Sequence, residues 1–135
     1  MKTIKVSEAT ERQLDWMVST LTNPEWDYED RAYNTFDWID TGDTNDEQYS
    51  PSTDWAQGGP IIEREGINLS VDYQDSALSN DMVQIGWKGN LWNNSVPGTA
   101  GFLQWAYGPT PLIAAMRCFV ISKLGDTVEV PEELT

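Results

Sequence analysis

At 135 residues and 15.2 kDa, the chain has the length of one domain that buries a core without disulfides or a structural metal. Its 39% hydrophobic and 11% aromatic content excludes an intrinsically disordered chain. With 22 acidic against 8 basic residues, a formal charge of −14 and a pI near 4.1, phosphate backbones and anionic membranes are disfavoured as direct partners. The absence of histidine removes the commonest general base and metal ligand, and the single Cys118 excludes an internal disulfide. No apolar run reaches membrane-spanning length, and the N-terminus lacks the pattern of a signal peptide. A cytoplasmic, non-enzymatic protein with no cofactor and no metal site is expected.

In chain order, Thr3–Val6 alternates β-branched residues and suits an edge strand or an extended arm. Thr10 with Gln13 forms a capping-box pattern, and Leu14, Met17, Val18 and Leu21 recur at helical spacing until Asn23-Pro24, which predicts an amphipathic helix over 11–22. From Glu25 to Glu47, nine carboxylates stand against Arg31 alone, so this sixth of the chain carries −8. Trp26, Tyr28, Tyr33, Phe36 and Trp38 are interleaved with the acids, so the segment is expected to pack on something. Its second half, Asp40–Asp46, has the turn chemistry of a mobile loop.

Ser52 or Thr53 is positioned to cap a helix with Asp54 in its first turn; Gly58-Gly59-Pro60 then predicts a break before Ile61–Glu65, and Gly66 a stop. Ile67, Leu69, Val71 and Tyr73 alternate as a half-buried strand, and Val83, Ile85 and Trp87 repeat the pattern, so the two are expected to pair antiparallel. The segment Gly86–Asn94 reads either as a hairpin loop clamped by Trp87 and Trp92 or as a base-stacking platform, and Phe102–Tyr107 as a third strand. Thr110 as cap, Pro111 at the first position and Gly125 after the end define a last helix. Its apolar stripe covers about half the circumference, as on a helix lying on a sheet. Val128 and Val130 suggest a short closing strand. The sum is one α+β domain over 1–135, an antiparallel sheet of about three to five strands packed with two to three helices in an α/β sandwich-like layout. An acidic, aromatic-containing insertion is placed at about 24–48.

Three blocks resemble a known family. Leu14-Asp15-Trp16-Met17-Val18, the stretch from Tyr49-Ser50-Pro51 through Trp55-Ala56-Gln57-Gly58-Gly59-Pro60 to Arg64, and Gly108–Arg117 continuing through Leu124-Gly125-Asp126 to Val130-Pro131 are similar to the small NinX-type proteins of tailed bacteriophages. The resemblance covers a little under half of the chain and implies a phage accessory protein acting in the cytoplasm of the infected host. It brings no assigned activity, and the segment 25–47 departs most from the family pattern.

The residues themselves suggest two kinds of binding. Tyr49, Thr53, Asp54, Trp55, Gly58, Gly59, Arg64, Trp87 and Arg117 combine aromatic rings, a helix N-terminus, a Gly-Gly pair and three of the chain's few cations or their neighbours, a set suited to a small nucleotide-like ligand. Sequestering such a ligand would counter a host function or defence. The plainer reading makes Trp55 core, Gly58-Gly59-Pro60 a helix breaker and Arg117 the partner of a nearby acid. The alternative class is an acidic nucleic-acid mimic that docks on a basic host protein through Trp26, Asp27, Tyr28, Glu29, Asp30, Asp37, Trp38 and Asp40. Asp40, Asp43 and Asp46 do not follow the ligand spacing of an EF-hand, and no nucleophile motif is present. Cys118, flanked by no cation cluster, reads as packing, and a homo-oligomer is left open.

Overall fold

A computed structural model describes residues 1–36, 48–75, 82–94, 97–98 and 100–135. The elements in chain order are β1 (Lys2–Lys5), a 3₁₀ turn (Val6–Glu8), α1 (Glu11–Thr22), α2 (Tyr28–Phe36), α3 (Trp55–Glu65), β2 (Asn68–Asp75), β3 (Met82–Asn93), β4 (Phe102–Gly108), α4 (Pro111–Leu124), β5 (Thr127–Val130) and a closing 3₁₀ turn (Glu132–Leu134). They form a single α+β domain with two antiparallel sheets, β2-β3-β4 and β1-β5.

Helix α4 is the centre of the packing. Thr110 accepts a hydrogen bond from Ile113 N–H, Pro111 occupies the first position where its missing N–H costs nothing, and the N–H of Gly125 closes the helix onto Ile121 C=O. Burial runs around the helix, from Leu112, Ile113 and Ala115 to Met116, Phe119 and Val120, so the expected half-circumference stripe is too narrow. The reason is that α4 lies between layers, with β2-β3-β4 on one side and α1 and α3 on the other. Its first turn lies directly on the end of β4: a Cβ on Gly108 would come within 2.8 Å of Ala114 N.

Helix α1 forms as its sequence predicts, with both hydrogen bonds of the capping box present between Thr10 and Gln13. Leu14, Trp16, Met17 and Val18 enter the same core cluster as α4, Leu91 and Ala106. Helix α2, inside the acidic segment, was not foreseen as an element; it packs on α1. Arg31 lies over the Trp16 ring at 5.8 Å, and Tyr28 meets the same ring edge-on at 5.3 Å. Tyr28 and Arg31 of this segment thus pack on α1, while the side chains of Tyr33 and Phe36, Trp38 and the Asp40–Asp46 loop lie outside what is described.

Two expectations are corrected. Helix α3 is continuous through Pro60, with Asp54 as its cap. Gly59 has no Cβ to clash with the proline ring, which removes the usual bar to helical backbone before proline. The segment from Gly86 to Asn94 is no hairpin loop: up to Asn93 it is the body of β3, paired on both sides from Trp87 to Asn90, because Gly89 and Leu91 face α4 and turn the segment into a core strand. The three-stranded sheet β2-β3-β4 is the antiparallel sheet expected, and β1 pairs with β5 beside it, from Lys2 opposite Val130 to Lys5 opposite Thr127, so the two ends of the chain close on each other.

The pairing of β2 with β3 shifts at Asp72/Tyr73, leaving Ile85 as the extra residue of a bulge between Gly86, opposite Asp72, and Gln84, opposite Tyr73. Beyond it Tyr73, Met82, Val83 and Ile85 are all more than half exposed. Among the described residues no helix is long and apolar enough to cross a membrane.

Candidate functional site

The β1-β5 closure brings the start of α1 beside the start of α4, and a groove opens between them. Its widest part, about 550 Å³, is lined by Thr10, Glu11, Arg12, Ile113, Arg117 and Glu133, with Ala9, Pro109 and Leu134 completing the wall. Toward α3 it meets a hollow of about 210 Å³ that shares Glu11 and Ile113 and adds Thr53, Trp55 and Thr110. Toward the sheet, Arg117 also lines a cavity of about 340 Å³ with Ser7, Trp87, Ala106, Gly108 and Ile121. The first two volumes differ in size, but the first lies within the range of small-ligand sites.

Arg117 stands at the junction. It is the one charged residue within the buried length of α4, and it leaves the helix sideways rather than toward the core. Nη1 donates to Tyr107 C=O at 2.9 Å and Nη2 to Ala9 C=O at 3.1 Å, so the guanidinium ties β4 to the residue before α1. Both acceptors are main-chain carbonyls, not the nearby acid that the sequence suggested. Nε is buried with no hydrogen-bond partner among the described residues. Burial lowers the pKa of this group from its ordinary value, yet an arginine stays charged. The cation is therefore held in place by neutral groups, and among the described residues no carboxylate forms an ion pair with it.

The structure brings together some of the sequence-derived ligand residues and separates others. Thr53 and Trp55 share the small hollow, where Trp55 is 55% exposed and so not core. Trp87 and Arg117 share the sheet-side cavity. Tyr49 stands apart: its hydroxyl bonds to Thr22 Oγ1, its ring meets Trp26 edge-on at 5.4 Å, and burial raises its pKa. Asp54 is spent on Ala56 N–H at 2.9 Å and on Gln57 Nε2 at 3.1 Å. The N–H of Gly58 donates to Asp54 C=O at 2.8 Å, and that of Gly59 lies in the interior of the helix, so the pair offers no anion cradle. Gly58 is there for close approach, since a Cβ would meet Leu112 Cδ2 at 2.6 Å. Arg64, at the far end of α3, lies 3.4 Å from Glu65.

Of the alternative surface, Asp27, Tyr28, Glu29 and Asp30 are exposed, whereas Trp26 is half-buried against Tyr49. Tyr28 Oη donates to Glu133 at 3.1 Å. Asp37, Trp38 and Asp40 lie outside the described residues. Cys118 is buried with Sγ 3.2 Å from Gln104 C=O, and burial pushes its thiol up to about 12. It is not a nucleophile at neutral pH.

The wall residues Glu11, Arg12, Pro109 and Glu133 were missed by sequence reading. Only the long-range closure of the chain ends puts Glu133 beside Arg12, and no local pattern announces that.

What these observations define is a small α+β protein with a polar groove beside its central helix. A family model described as bacteriophage P22 NinX matches residues 5–123, and the chain belongs to that family of bacteriophage accessory proteins. No curated protein matches the chain.

Proposed function

We propose that this protein works by binding, holding a small nucleotide-like molecule in the α1–α4 groove in the host cytoplasm and so withdrawing it from a host function or defence. The observation that carries this reading is Arg117, a cation fixed by two main-chain carbonyls at the meeting point of two cavities. With Arg12 on the same wall it supplies a place for a phosphate. Glu11 and Glu133 face the same space and are suited to accept from ribose hydroxyls or ring N–H groups, which a nucleotide has and inorganic phosphate lacks. Trp87 on one side and Trp55 on the other offer ring faces for the planar part. Binding rather than turnover fits a chain without histidine and with its one thiol buried.

The test is thermal unfolding of wild type, Arg12→Gln and Arg117→Lys with mono-, di- and triphosphate nucleosides and cyclic dinucleotides. A ligand at a hundredfold over its Kd should add about 2.7 kcal/mol to wild type, a rise of several degrees in Tm, and less to both variants. If no nucleotide moves the wild-type Tm, or if one moves all three proteins equally, the groove is not the site. A second reading, docking of a basic host protein, rests on the exposed Asp27, Glu29 and Asp30. It predicts capture of a basic protein that salt abolishes and that Arg117→Lys leaves intact.

A further inference from the structure

The cavity of about 340 Å³ on the sheet side of Arg117 has a carboxylate in its lining as well as that cation. Asp72, on β2, and Arg117, on α4, are its charged residues, and Trp87, Trp105 and Tyr107 supply aromatic rings. Register orders them across the sheet. Asp72 lies opposite Gly86 on β3, and Lys88, two residues further on, lies opposite Tyr107 on β4, so Asp72 stands on the same side of the sheet as Tyr107 and Trp105. Gly86 carries no side chain to intervene; a Cβ there would come within 2.7 Å of the Gly108 carbonyl oxygen. Strand β4 is an edge strand, and Arg117 meets it where Nη1 donates to Tyr107 C=O at 2.9 Å. Two strand spacings separate β2 from β4, roughly 10 Å, which is about the reach of a nucleoside from the edge of its base to its phosphate.

Asp72 is half-buried, and among the described residues its carboxylate has neither a hydrogen bond nor an ion pair. It gains most from a ligand that brings donors to it. The pattern of those donors follows from the group itself, two oxygens side by side that only accept. Of the common bases, guanine alone presents two adjacent N–H donors, on N1 and on the 2-amino group, in the spacing of a carboxylate. Adenine turns an acceptor nitrogen to the same place, cytosine sets an acceptor nitrogen beside its amino group, and uracil has one N–H between two carbonyls. The rings have surface left to cover: Tyr107 is 55% exposed and Trp105 39%. A flat base lying on them turns its edge toward β2.

Given the nucleotide reading of the groove, on which this rests, we infer that the ligand is a guanine nucleotide, with its base on Trp105 and Tyr107, its N1–H and 2-amino group on Asp72 and its phosphate on Arg117. Asp72 then selects among nucleotides, and Arg117 holds all of them.

Isothermal titration calorimetry of the full chain with the monophosphates and triphosphates of guanosine, inosine, xanthosine and adenosine tests this. Wild type should bind the guanosine nucleotide about tenfold or more tighter than the inosine nucleotide, which lacks the 2-amino group, and should bind the adenosine nucleotide more weakly still. Asp72→Asn exchanges one acceptor for a donor, so it should lose the preference for guanosine and gain one for xanthosine, whose C2 carbonyl accepts from the new amide. Arg117→Lys should weaken every nucleotide by a similar factor and leave their order unchanged. The order of bases in wild type decides without any substitution: guanosine and adenosine nucleotides bound equally overturn the guanine assignment and leave the groove a nucleotide site. An unchanged order in Asp72→Asn with wild-type circular dichroism also overturns it. If no nucleotide binds wild type, the groove reading falls and the guanine assignment falls with it.

Discussion

Asp15 is a carboxylate folded into the interior of α1, 4% exposed, with Oδ1 accepting from Ser52 N–H at 2.9 Å. Loss of water around it outweighs that hydrogen bond, and its pKa rises from 3.8 to about 7. Between those values the folded chain keeps a proton that the unfolded chain has released. Stability is therefore highest near pH 4, falls as pH rises to about 7, and is flat above, by at most about 4 kcal/mol for this group. Asp15→Asn keeps the acceptor for Ser52 and cannot ionise. Its Tm should match wild type near pH 4 and exceed it at pH 8, and parallel profiles for the two proteins across that range would show Asp15 to be ionised throughout. The second block of the family resemblance begins at Tyr49 and contains Ser52, and this hydrogen bond is what ties that block to α1.

At the scale of elements, Pro60 is an exposed proline in the sixth position of α3, and it leaves Ala56 C=O without its helical donor. Its side chain is exposed, so Pro60→Ala should stabilise the chain by about 1–2 kcal/mol. Chemical denaturation would show this as a higher midpoint at an unchanged slope; a lower midpoint would mean that the ring holds α3 against a neighbour. The same helix marks the limit of reading elements from sequence. Helices α1 and α4 carry their own end signals, Thr10 with Gln13 and Thr110 with Pro111, and local chemistry suffices for both. Gly58-Gly59-Pro60 sends the opposite local signal, and it is overridden because Gly58 must lie flush against Leu112 of α4, a contact made across more than fifty residues. Strand β3 was misjudged beyond Trp87 for a related reason. Gly89 and Asn90 are poor strand formers alone and become strand only because β2 and β4 pair with them. The candidate groove was half visible: Trp55, Trp87 and Arg117 stood out by type, but Arg12 and Glu133 reach it through the pairing of the chain ends.

For the whole molecule, the governing quantity is a charge of −14 that has few partners to offset it. Among the described residues the ion pairs include Met1 N-terminus with Glu132 at 3.9 Å and Arg64 with Glu65 at 3.4 Å, each with at least one largely exposed partner. Pairs of that kind contribute little, and with 22 acidic against 8 basic residues repulsion outweighs the attraction that added salt weakens. It has much repulsion to relieve, because nine of the acids fall within Glu25–Glu47 and folding holds the described part of that segment against α1. Raising sodium chloride from low to half-molar concentration, which shortens the screening length from roughly 10 Å or more to a few ångströms, should raise Tm by several degrees at pH 8. The rise should be independent of protein concentration, because it comes from repulsion within one chain. A Tm that falls with salt would mean that attractive pairs, not acidic repulsion, dominate the electrostatics of the fold.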